Sequence, residues 1–324
     1  MDFLFYFLLF IFLFFIFYKD KVMLTKFTAL AMGVLLSVSA MAADMATADM
    51  ATLTRQAQSG DAAAQSDLAD EYYQQGNHAK AFEWYTKAAN QGEAEAQHNL
   101  GVMYYEGQGV RQDYYKSVEW YTKAANQGYA DAQFNLALMY AQGDGVRQDD
   151  QKAFEWFTKA ANQGDAAAQF SLGVMYDEGQ GVSQDDHKAF EWYTKAANQG
   201  YADAQFNLAL MYYEGQGVRQ DYHKVVEWYT KAAGQGHAEA QHNLGVMYYE
   251  GQGVRQDYHK AFEWFTKAAN QGFAQAQNNL GVMYDEGQGV RQNIATAKIY
   301  YGQACDNGLQ LGCDHYRRLN QQGY

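Results

Sequence analysis

GVMYYEGQGVRQD, residues 101–113, sets three glycines, a Gly-x-Gly pair, Arg111 and Asp113 within thirteen positions. Glycine-rich main chain beside a cation can cradle a phosphate. A phosphate loop, however, follows a strand and ends in Lys-Ser/Thr, and this stretch has neither. The same thirteen residues also return unchanged at 245–257, 144 positions later, whereas a catalytic loop normally occurs once. The stretch therefore reads as a turn between helices, with Asp113 as a helix cap.

The other reactive residues point the same way. No Ser-x-x-Lys, His-Glu-x-x-His or Gly-x-Ser-x-Gly occurs, so no serine nucleophile or zinc helix announces itself. His187, His223 and His259 hold one column next to a lysine, and Tyr115 and Gln151 fill the same slot, as exposed positions permit. His237 and His242 are five apart and do not share a helical face as a metal pair should. Cys305 and Cys313 have only His315 near them, too few donors for a metal site. No catalytic residue, metal or cofactor is expected.

The elements that carry these residues repeat. Trp84, Trp120, Trp156, Trp192, Trp228 and Trp264 are spaced 36 residues apart, and Tyr300 continues the series. A period of this length is the signature of a repeat architecture. Six full units cover 93–128, 129–164, 165–200, 201–236, 237–272 and 273–308; a shorter unit at 61–92 precedes them, and a capping helix at 309–324 follows. In unit 129–164, Ala132, Leu136, Met139 and Tyr140 share a face of a first helix, A, beside small Ala130 and Ala137. Gly143 and Gly145 end helix A, and Asp149 caps a second helix, B. Helix B is expected to turn Ala153, Phe154, Trp156, Phe157, Ala160 and Ala161 inward, with Glu155 and Lys159 outside at i, i+4.

Composition narrows the class of function. The chain has 324 residues, a net charge of −13 and no proline. An acidic surface excludes nucleic acid as the partner. Aromatics at 16% exclude disorder. Residues 3–18 are uninterrupted apolar, but sixteen helical residues fall short of a hydrocarbon core about 30 Å thick. From Met23 come Lys26, an apolar run and Ala40-Met41-Ala42, the pattern of a secretory signal peptide cleaved after Ala42. Residues 1–22 then read as an upstream over-call, with a membrane anchor as the other reading. Residues 23–42 are the signal and 43–60 a lead-in with a capping helix. The expected mature chain is periplasmic or secreted, monomeric and without a membrane span.

The pattern A-x-A-Q-x-N-L-[GA]-x-M-Y-x-x-G-x-G-V-x-x-D-x-x-K-A-x-x-W-[YF]-x-K-A-A-x-Q-G, as in residues 130–164, resembles the Sel1-like repeat (SLR) family, relatives of the tetratricopeptide repeats. The likeness covers about 61–308; the first unit, with Leu68, Tyr72 and Ala81, keeps the shorter tetratricopeptide spacing because it lacks a four-residue glycine insertion. It implies an all-α fold, a right-handed α-α superhelix (solenoid) of stacked antiparallel helix pairs. It also implies a bacterial envelope adaptor, regulator or host-interaction factor. The spacing of Cys305 and Cys313 resembles the disulfides of cysteine-rich secreted members, and two helices meeting at a tight turn can bring such positions within reach. Some of those members have been linked to β-lactam binding or hydrolysis, so an envelope hydrolase acting on β-lactams or peptidoglycan is the alternative function.

In related solenoids helix A lines the concave side. Its columns outside the predicted core hold Phe134, Phe170 and Phe206; Asn135 and Asn207; Leu138 and Leu210; and Tyr105, Tyr213 and Tyr249. An apolar stripe with aromatics and amides suits a protein or peptide ligand. The competing reading is that these side chains pack against neighbouring helices, the amides bonding buried backbone.

Overall fold

A computed structural model describes residues 49–324. The sequence readings for residues 1–42, the over-call and the signal peptide, lie outside the described residues, as do the first positions of the lead-in. No strand occurs among the described residues, and the chain divides into two compact units.

The first unit holds a helix at 49–58, α1 (Ala62–Gln74) and α2 (His78–Asn90). Asp61 caps α1 by accepting from the Ala64 amide at 2.9 Å. Ala57 and Leu68 are buried against half-buried Met50, Leu53, Tyr72 and Trp84. Only residues 75–77 join α1 to α2, whereas 143–149 join the corresponding helices of a later repeat. The four extra residues there are the glycine insertion.

The second unit takes most of α3 (Ala94–Glu106) and then runs α4 (Tyr114–Asn126), α5 (Ala130–Gln142), α6 (Asp150–Asn162), α7 (Ala166–Glu178), α8 (Asp186–Asn198), α9 (Ala202–Glu214), α10 (Tyr222–Gly234), α11 (Ala238–Glu250), α12 (Tyr258–Asn270), α13 (Ala274–Glu286), α14 (Ile294–Asp306) and α15 (Gln310–Gln321). Odd labels are A helices and even labels B helices. From α4 onward each helix packs on the next, so the unit is a solenoid of stacked helix pairs. Its core is assembled from two stripes. Ala132, Leu136 and Met139 of α5 pack with Tyr121 and Ala124 of α4, as Ala168, Leu172 and Met175 of α7 pack with Phe157 and Ala160 of α6, all at 5% exposure or less.

The glycine loop works as a joint. Gly143 terminates α5 in the left-handed conformation, φ 80°, its amide donating to Met139 O, a geometry a side chain disfavours. Gly145, φ 65°, lies so close to the start of α4 that a Cβ there would sit 2.4 Å from Tyr114 O. The loop therefore turns the chain and seats one repeat on the last. Asp149 then caps α6 through the Lys152 amide at 3.0 Å, and Asp113, Asp185, Asp221 and Asp257 repeat the arrangement.

Helix B differs from the sequence expectation at its tryptophans. They sit at the rim of the core, half-buried except for Trp228 at 7% exposure. The outer face of each is covered by the lysine three positions on, from Lys159 at 3.5 Å from the Trp156 ring centre to Lys267 at 3.9 Å from that of Trp264. An ammonium over an indole face is electrostatically favourable and lets the lysine stem cover apolar surface. The i, i+4 ion pair to glutamate forms as well at Lys123–Glu119, 2.9 Å, and Lys231–Glu227, 3.0 Å.

A buried glutamine, not singled out from the sequence, joins three successive helices in each repeat. Gln205 on α9 is 5% exposed. Its Nε2 donates to Ala197 O at 3.0 Å, and its Oε1 accepts from Gln235 after α10 at 2.8 Å. Gln133, Gln169 and Gln241 do the same. Cys305 near the end of α14 is disulfide-bonded to Cys313 on α15, their Cα atoms 4.5 Å apart.

Candidate partner-binding surface

On a 3.6-residue helix the positions equivalent to 131, 135, 138 and 142 fall on one face. Along that face of the A helices of the second unit, clefts open between successive A helices, floored by a side chain of the B helix between them, Tyr229 or Phe265. One cleft of about 220 Å³, between α9 and α11, is lined by Leu210, Tyr213, Glu214, Tyr229, Asn243 and Val246 among others. The next, about 160 Å³ between α11 and α13, is lined by Val246, Tyr249, Glu250, Phe265, Asn279 and Val282. The two share Val246 and repeat one template: aliphatic walls, a tyrosine, an asparagine and a glutamate. Three repeats before the first, Tyr105, Asn135 and Leu138 occupy the equivalent columns.

Predicted site residues divide between surface and packing. Leu210, Tyr213 and Tyr249 come together in the clefts, and Tyr213 is 39% exposed. The tyrosine column also ties repeats together: the Tyr105 hydroxyl donates to Asp144 at 3.3 Å, and that of Tyr249 to Gln288. Leu138 is half-buried against the core of its own and the next repeat.

The phenylalanine row is not the free surface expected of it. Phe206 is buried at 7% exposure and stacks on His237 with ring centres 4.6 Å apart. Phe170 lies 5.2 Å from Tyr201, and Phe134 5.6 Å from Phe157. The residue opening the following helix A, Tyr201 or His237, folds over the ring, a neighbour contact that a wheel for one helix does not contain.

Asparagines and histidines form polar seams between repeats. Asn135 Nδ2 lies 3.0 Å from His98 Nε2, whose Nδ1 lies 3.1 Å from Asn99 Oδ1. His242 repeats this with Asn279 at 3.1 Å and Asn243 at 3.0 Å. An amide nitrogen only donates and an amide oxygen only accepts, so each imidazole is neutral with its proton on Nδ1. Burial, the dominant cause, holds both histidines below the usual imidazole range, against the opposing pull of their asparagines and, for His98, of Asp131. Asn243 Nδ2 also donates to Tyr229 at 3.2 Å, and Asn207 bonds Tyr193, whose phenol is pushed above its usual range chiefly by burial. The asparagine amides are thus engaged inside the fold, as the packing reading supposes. His187, His223 and His259 are exposed.

Sequence reasoning passed over the glutamates. Glu214 and Glu250 line the two clefts, and their column reads Glu at 106, 178, 214, 250 and 286, all exposed. The recurring letter was a signal; it escaped because a glutamate at a helix end looks like ordinary solvated surface. Among the described residues no group of three His, Cys, Asp or Glu is placed to hold a metal ion.

Stacked helix pairs presenting serial clefts define a helical-repeat scaffold. The chain belongs to the Sel1 repeat family, whose pattern matches residues 62–93, 94–129, 130–165, 166–201, 202–237, 238–273 and 274–309. Sel1 repeat proteins are in general non-catalytic scaffolds that bind other proteins. Among solved structures the chain is similar to a protective antigen of uropathogenic Escherichia coli strains displaying an SLR fold, with 38% identity and a TM-score of 0.82 over 85% of this chain and 60% of the antigen. It is also similar to a Sel1 repeat protein from Oxalobacter formigenes, with 37% identity and a TM-score of 0.70 over 83% of this chain and 79% of that one. The chain thus spans about 60% of the antigen's length. Comparison with curated proteins returns no match.

Proposed function

We propose that this chain is an exported, monomeric scaffold that binds a protein or peptide along the helix-A surface of its second unit, in the periplasm or outside the cell. The observation that carries the binding reading is the pair of adjacent clefts sharing Val246, whose aliphatic column recurs in all six repeats and whose glutamate column recurs in five. Export is supported by the signal-like residues 23–42 and by the Cys305–Cys313 disulfide, a bond that persists in oxidising compartments. No helix of the described residues is long and apolar enough to cross a membrane.

The test is capture from envelope extract with residues 43–324 as bait, beside a variant carrying Tyr213→Ser and Val246→Thr. Tyr213 is exposed and Val246 only half-buried, so the thermal midpoint should fall by no more than a few degrees while capture is lost. Capture by both proteins alike rejects this surface. Intact mass of the exported protein should place its first residue at Ala43, and a mass retaining residues 1–42 rejects export by a cleaved signal.

A further inference from the structure

Charge on the second unit is sorted by helix type. The A helices from residue 97 to 286 carry ten carboxylates, from Glu106 to Glu286, and not one lysine or arginine. Their histidines, His98 and His242, are half-buried and engaged by asparagines. The lysines lie on the B helices, where they cover Trp and Tyr rings, and the arginines lie in the loops and on α15. Each cleft has a glutamate in its wall and no cation. Among the described residues none of the five glutamates in that column meets a cation within ion-pair distance. At the other end of the same helical face stand Asp131, Asp203 and Glu239, all exposed. Eleven residues at about 1.5 Å each put the two carboxylate rows about 16 Å apart, with the aliphatic column between them.

We infer that the occupant of these clefts is an extended cationic segment, with apolar side chains seated between successive A helices and lysines or arginines reaching the carboxylate rows on either side. This rests on the reading that the helix-A surface is the binding surface, and adds the chemistry of what binds. Stacked helices stand about 8–10 Å apart. An extended chain advances about 3.1–3.4 Å per residue, so about three residues carry it from one seat to the next if it runs across the helices. The matching segment therefore has an apolar residue at every third position and basic residues between. An acidic segment of the same shape would set like charges together and is disfavoured.

The experiment uses residues 43–324 and four fluorescein-labelled twelve-residue peptides read by anisotropy. The first repeats Leu-Lys-Lys, the second Leu-Glu-Glu, the third Leu-Ser-Ser and the fourth Ser-Lys-Lys. The Leu-Lys-Lys peptide should bind at least tenfold tighter than each of the others. Its affinity should fall with added salt, and the variant Glu214→Gln, Glu250→Gln, Glu286→Gln should lose most of the advantage. Equal binding of Leu-Lys-Lys and Leu-Ser-Ser, weakened alike by Tyr213→Ser with Val246→Thr, overturns the charge inference and leaves the surface reading standing. Equal binding of Leu-Lys-Lys and Ser-Lys-Lys, unaffected by that variant, shows diffuse attraction to an acidic protein and overturns the inference. Binding of none of the four overturns the inference and removes the clefts as a peptide site.

Discussion

Gln205→Leu tests what holds one repeat on the next. Leucine nearly matches glutamine in volume, so the change removes two hydrogen bonds without opening a cavity. The Ala197 carbonyl, in a site where Ala197 is 2% exposed, loses one of its two donors at 3.0 Å and keeps the Gly200 amide at 3.0 Å. An acceptor that keeps a partner forfeits one net hydrogen bond, about 0.5–1.5 kcal/mol. The Gln235 amide loses its 2.8 Å acceptor but is exposed and still bonds Gly200 O at 2.9 Å, so water replaces the missing partner at little cost. Added leucine burial returns part of the loss, leaving an expected destabilisation of about 1 kcal/mol. Gln235→Ala, which leaves the Gln205–Ala197 bond intact, should cost under about 1 kcal/mol. Urea unfolding followed by circular dichroism gives both values. Amide exchange around α8 and α9 shows whether the array opens at that seam, as a chain of nearest-neighbour contacts should. If Gln205→Leu is as stable as the parent, the glutamines only fill space and the seam is held by its aromatic and aliphatic contacts.

Gly145→Ala should cost more than Gly164→Ala, because both need positive φ but only at 145 would a Cβ meet backbone, Tyr114 O at 2.4 Å; about 1 kcal/mol at 164 and at least twice that at 145 is expected from thermal melts. Trp156→Ala should cost less than the roughly 3–5 kcal/mol of a core aromatic, since the ring is half-buried and exposed Lys159 covers its outer face; a loss inside that range would make the rim a true core. Stability should fall as pH drops below about 6.5, the ordinary imidazole value. His98 and His242 have depressed folded values, so the unfolded chain binds more protons as pH drops below the ordinary imidazole value. Replacing both by Gln should flatten this fall. Asp177, raised chiefly by burial, acts with the opposite sign nearer the carboxylate range.

The period, helix pairing, caps and glycine loops were legible because each is a local rule repeated many times. One Asp-Gly spacing could be chance, but the same spacing in successive units is a construction. The Cys305–Cys313 bridge occurs once and was legible instead from its likeness to the disulfides of cysteine-rich secreted members, on two helices that meet at a tight turn. What was hidden depends on the step between repeats. Phe206 looks exposed on α9 alone and is covered only when His237 arrives from the start of α11. Gln205 looks like surface on its own helix and is buried by partners eight residues before and thirty after it. The tryptophans misled in the other direction: a large aromatic at fixed phase suggests core, yet six of six carry a lysine across the ring.

That distinction bears on what the surface can recognise. Column 134 varies from repeat to repeat, as Phe206 against His242, and its residues are spent on the seam with the next repeat. Of the cleft columns, 138 holds valine or leucine throughout and 142 holds glutamate in five repeats of six, while the tyrosine of 213 and 249 gives way to Ala141, Asp177 and Asp285. A surface of recurring sites favours a ligand that also recurs along its length. Each cleft, at about 220 or 160 Å³, is smaller than the roughly 300–1,000 Å³ that holds a small-molecule ligand, so one seat alone gives little affinity. Joined seats act at high effective concentration once the first is filled, and affinity then grows with the number engaged. On the proposed reading, the length of the bound segment matters more than any single contact, and loss of one cleft should weaken binding by one step rather than abolish it.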